Sequence, residues 1–143
     1  MKEKPEWIIE NELEVRKVYY NNNVITYSVL KKETMNFLGF LGLQEGYFYI
    51  SEEVPEEFME PQIIHEFIEF NELKGQRRRC LESLKRELSI VPEDIKKSYI
   101  EYRKDFFKRL TEFFEDSDHE DFKEEIGMSY SFLRKLNFKN QSG

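Results

Sequence analysis

Hydrophobic and polar positions follow two different periods along this chain. Residues 14–20, EVRKVYY, and 24–30, VITYSVL, are rich in β-branched and aromatic side chains and predict two strands. Asn21, Asn22 and Asn23 lie between them. Asparagine tolerates the left-handed backbone of a tight turn, so a hairpin is predicted. A second strand pair is predicted at 36–42, NFLGFLG, and 47–51, YFYIS, with Gln44, Glu45 and Gly46 as the turn. Gly39 and Gly42 weaken the third strand or mark a bulge, and a helix over 33–41 competes with it.

After Pro55 and Pro61 the spacing becomes helical. Pro61 suits a first helical turn, where its missing N–H costs nothing. At about 100° per residue, Ile63, Ile64, Phe67, Ile68 and Phe70 form one apolar stripe. Gly75 ends or joins that helix. Leu81, Leu84 and Leu88, with Cys80 beside them, predict a second helix over 76–89. Pro92 opens a third, with Glu93 and Asp94 in the first turn, where the helix dipole favours negative charge. Its stripe runs from Ile95 through Tyr99, Tyr102, Phe106 and Leu110 to Phe113, widened by Ile100, Phe107 and Phe114. An acidic joint follows at 115–121, EDSDHED. Asp118 is a candidate cap for a last helix carrying Phe122, Ile126, Phe132, Leu133 and Leu136, with Gly127 weakening its middle. The tail from residue 137 is expected to fray.

Strands followed by helices predict an α+β fold. It is an antiparallel β-meander of three or four strands over residues 14–51, with four helices over 61–137 packed on one face. The 143 residues suit a single domain. Hydrophobic content is only 39%, but thirteen Phe and eight Tyr supply bulky core material. The net charge of −7 disfavours nucleic acid and anionic membrane surfaces as partners and suits a basic protein partner. One cysteine cannot form an internal disulfide, and no apolar leader or spanning stretch occurs. A cytoplasmic location is expected.

Four stretches carry candidate chemistry. His65-Glu66-Phe67-Ile68-Glu69 resembles the H-E-x-x-H helix of zinc metalloproteases, departing at the second histidine, which is Glu69 here. On a helix His65 and Glu69 could reach one divalent ion such as zinc, with Glu66 activating a bound water and His119 as a further ligand. The wheel instead turns His65, Glu69 and Glu72 away from the apolar stripe, as a solvated or partner-facing surface. Arg77, Arg78 and Arg79 could bind phosphate, or pair with glutamates of neighbouring helices. Three successive helical residues cannot serve one flat surface. Asp116, Asp118 and Glu120 alternate like the start of an EF-hand loop, but Asp121 and Gly127 stand where that loop needs Gly and Glu. Cys80 sits on the apolar side, as a buried thiol would.

With one cysteine and two histidines there is little material for nucleophile or metal chemistry. The expectation is a non-catalytic module that binds a basic protein, or self-associates. Its surface would combine His65, Glu69 and Glu72 with Asp116 and Asp118. The alternative is a zincin-like metal-dependent hydrolase built on His65, Glu66 and Glu69.

Overall fold

The computed structural model describes residues 4–34, 42–44, 47–74, 76 and 79–136. The fold is α+β: a sheet in the N-terminal part, then helices. The expected strand at 36–41, the turn at 45–46, Gly75, Arg77, Arg78 and the tail from 137 lie outside the described residues. The chain divides into two compact units, Met1–Glu72 and Leu73–Gly143.

The first unit is built on strands β1 (Glu12–Tyr20), β2 (Asn23–Leu30), β3 (Gly42–Gln44) and β4 (Tyr47–Ser51). β1 and β2 form the expected hairpin. Asn21 and Asn22 take φ of 45° and 65°, the two left-handed residues that a two-residue hairpin turn requires. The strand order is β1-β2-β4-β3, and β2 pairs with β4 in parallel. This corrects the meander. The chain between Leu30 and Tyr47 is long enough for a crossover, so β3 lies outermost and β4 returns between it and β2. The central strands carry the buried residues Val29, Leu30 and Ile50.

Helix α2 (Met59–Phe67) covers one face of this sheet. Its Phe67 ring meets Tyr20 and Phe48 at 6.2 and 6.4 Å, and Arg16 reaches both Met59 and Glu56. Pro61 lies in its first turn, as expected. A six-residue helix, α1 (Glu6–Asn11), was not predicted, being too short to show a period. Its Trp7 packs edge-on against Tyr49 at 5.1 Å. Tyr49 alternates with Phe48, so α1 lies on the face opposite α2. Not every helix therefore packs on one side. Lys4 and Ser28 both hydrogen-bond Glu12. Burial raises the Glu12 carboxyl, but these bonds and the Lys4 charge outweigh it and leave its pKa below the ordinary value.

The second unit holds α3 (Arg79–Ile90), α4 (Glu93–Phe113) and α5 (Glu120–Arg134). Their limits fall within a few residues of the predicted ones. α5 packs against both α3 and α4. Its Glu125 accepts from the Cys80 N–H at 3.2 Å, satisfying a donor that the start of α3 would leave unpaired. Ser129 Oγ lies 3.4 Å from Cys80 Sγ. Cys80 as a whole residue is half-buried.

Between α3 and α4 lies a buried charge cluster. Arg103 Nη2 donates to Glu87 Oε1 at 3.0 Å, and Arg103 Nε stands 2.8 Å from Oε2, off the hydrogen-bond axis. The Tyr99 hydroxyl donates to the same carboxylate. Burial pushes the Tyr99 phenol well up, and Glu87 adds to it. Burial disfavours the Arg103 charge, but Glu87 more than compensates. The guanidinium also lies 5.0 and 4.9 Å from the Phe106 and Phe107 ring centres.

Two stability outcomes follow. Arg103→Met strands a buried carboxylate and should cost about 3–5 kcal/mol, much of it recovered when Glu87→Gln is added. Denaturant unfolding of both variants checks this. Gly127 sits inside α5, and a Cβ there meets nothing within 4 Å. Gly127→Ala should therefore raise stability by about 1 kcal/mol, read as a higher melting temperature.

Candidate functional site

The candidate residues fall in both units. In the first, His65 and Glu69 do come together: His65 Nε2 and Glu69 Oε2 are 2.6 Å apart. They do not form a solvated face. His65 is only 4% exposed and the Glu69 side chain 16%. The expected outward orientation of His65 is thus corrected. Met59, Pro61, Gln62, Ile63, Ile64 and His65 are all buried, so α2 is covered on more than one side. A wheel with one apolar stripe cannot place the outer face of such a helix.

The turn after α2 adds a second reason. Residues Ile68–Glu72 form a π-helical turn, which is wider than an α-turn and rotates every later position. Phe70, expected in the stripe, is exposed, while Ile68 is fully buried. Glu72 is half-buried at the end of this turn. Glu66 is half-buried. Burial raises the Tyr49 phenol, and the Glu66 charge raises it further. His65 and Glu69 are chemically able to supply one nitrogen and one oxygen donor to a divalent cation.

The same unit has a cleft of about 270 Å³ lined by residues of β2, the start of β4 and Phe67. Its walls include Val24, Ile25, Phe48 and Phe67, together with Lys4. Lys4 is held by Glu12 at 2.7 Å, so the cleft offers apolar and aromatic walls more than a cation.

In the second unit, Asp116, Asp118 and His119 occupy the joint between α4 and α5, and all three are exposed. Asp118 does not cap α5 with its side chain. His119 is the capping residue, without a side-chain bond, and Ser117 Oγ accepts the His119 N–H at 3.0 Å. The helix starting at Glu120 leaves no room for a twelve-residue calcium loop. Arg79 opens α3.

The joint carries residues that periodicity assigned to the core. Phe113 is 57% exposed and Phe122 39%. Their rings meet Phe114 edge-on from both sides, at 5.1 and 4.8 Å. Glu112, Glu115, Asp116, Glu120 and Asp121 are exposed close by in sequence. The result is an aromatic ridge in an acidic setting. The local sequence held a signal for it: Glu112-Phe113-Phe114-Glu115 and Asp121-Phe122 flank aromatics with acids, which core segments avoid.

Compared with known proteins, the chain matches no family model, no curated protein and no solved structure. No helix among the described residues is long and apolar enough to cross a membrane.

Proposed function

We propose that this protein is a non-catalytic binding module that engages a basic protein through the α4–α5 joint. The observation that carries this is the exposed pair Phe113 and Phe122, set edge-on against the half-buried Phe114 among acidic side chains. Acids at a rim speed encounter with a positive partner and set its orientation. Exposed rings supply the anchors that give an interface most of its energy, and they also receive Lys or Arg side chains through cation–π contacts. The net charge of −7 favours the same class of partner.

The test is affinity capture with the full chain, followed by identification of the bound protein and titration of the purified pair. A basic partner is expected, with affinity that falls as salt rises. Asp116→Lys with Asp118→Lys should weaken it at least tenfold by reversing the rim, and Phe113→Ser should do so by removing an anchor. Titrations that neither variant changes would rule out this surface.

A second reading has one observation in its favour, the His65–Glu69 donor pair at 2.6 Å, largely out of solvent. On this reading the pair contributes to a divalent metal site, with Glu66 beside it as the base of a hydrolase. Protein purified without a histidine tag would then hold a stoichiometric metal such as zinc by elemental analysis. His65→Ala would lose the metal while still unfolding cooperatively. Metal-free wild-type protein that gains no thermal stability from added zinc removes this reading.

A further inference from the structure

We infer that two copies of this chain associate by pairing their β1 strands antiparallel across a two-fold axis, making one continuous sheet. The inference rests on the first unit alone and is independent of the α4–α5 surface.

β1 borders only β2 among the described strands, so among the described residues its other side is an edge. The hairpin shows which backbone groups that edge presents. Tyr20 and Asn23 close the two-residue turn as a hydrogen-bonded pair. Such pairs alternate along an antiparallel ladder, so the N–H and C=O groups of Val15, Lys17 and Tyr19 point away from β2. Their side chains are also exposed: Val15 is 48% and Tyr19 73% accessible, and Val24, opposite Tyr19, is exposed too. The edge from Val15 to Tyr19, with outward backbone groups and exposed side chains, is a template for another strand.

The charges say which strand. Within an acidic chain, β1 carries Glu12 and Glu14 against Arg16 and Lys17, so it is locally balanced. Placing Val15 on the two-fold axis sets Glu14 opposite Arg16 of the second copy, twice. Arg16 already holds Glu14 and Glu56 of its own chain at 2.6 and 2.7 Å and reaches Met59, so pairing across the axis exchanges its own exposed Glu14 for Glu14 of the second copy. Shifting the axis by one residue, to Arg16, would set two guanidiniums face to face, which is unfavourable across a sheet. The strand is therefore complementary to itself in one register.

Sedimentation equilibrium of the full chain, from micromolar to millimolar concentration, tests the association. Hydrogen exchange resolved by residue locates it. The wild type should form a dimer, with the Val15 and Lys17 amides slowed at least tenfold at concentrations where it dominates. Val15→Lys, an exposed substitution that sets two ammonium groups together at the axis, should weaken the dimer at least tenfold and release those amides. The Val18 and Ile25 amides, inside the hairpin, should stay protected and so report that the variant folds. Glu14→Arg should weaken association likewise, because the new guanidinium would face Arg16 of the second copy. A wild type that is monomeric throughout overturns the proposal, as does a dimer that persists in both variants with the Val15 and Lys17 amides exchanging freely.

Discussion

The Glu87 carboxylate is the constraint from which the helical unit takes its arrangement. It has no exposed surface, and a charge in that position is tolerable only if it is paired and hydrogen-bonded. Arg103 and Tyr99 meet both needs from α4 while Glu87 stands on α3, so one interaction sets how the two helices face each other. The rotation of α4 is then no longer free. With Tyr99 and Arg103 turned inward, Ile100, Phe106, Phe107 and Leu110 are carried in with them. Phe113 falls toward the edge of that stripe and comes out into solvent. The exposed ridge at the joint is a consequence of where the buried carboxylate holds the helix.

His65 and Glu69 repeat the principle in the sheet unit: a polar pair leaves solvent together. The composition makes this intelligible. The chain is 36% charged and only 39% hydrophobic. A core drawn from such a sequence takes in some ionisable groups, and each arrives with its partner. Binary patterning does not foresee these groups, because it counts every charged residue as surface.

Much of the architecture was nonetheless legible. β4 matches its predicted limits, β1 and β2 lie within two residues of theirs, and Pro92 introduces α4 as its fixed φ and the acids after it imply. These features depend on local chemistry, which a sequence displays. What escaped prediction depends on long-range packing or on breaks in period. The parallel pairing of β4 with β2 is set by where the intervening chain goes. The π-helical turn at Ile68–Glu72 adds to one turn and displaces every position after it, so Phe70 was misplaced and Ile68 was not. The site residues suffered most, since burial of His65 follows from α2 being covered on several sides, and Glu66 and Glu69 show the same helical spacing whether that surface is wet or dry.

The two proposed surfaces follow opposite electrostatic rules, and this decides what each can receive. The joint is acidic, with Lys123 held by Glu120 at 3.5 Å. Two copies brought together through their joints would oppose like charges, and like charges juxtaposed at an interface cost on the order of several kcal/mol. The joint is therefore poorly suited to its own kind, in keeping with the basic partner proposed for it. β1 is balanced, and an antiparallel repeat of itself turns Glu14 toward Arg16 in both directions. Its free backbone groups also cannot be satisfied by a helix or a loop as completely as by another strand. A strand edge that is neutral and self-complementary suits a second copy, while the acidic ridge is left for a partner of the other sign.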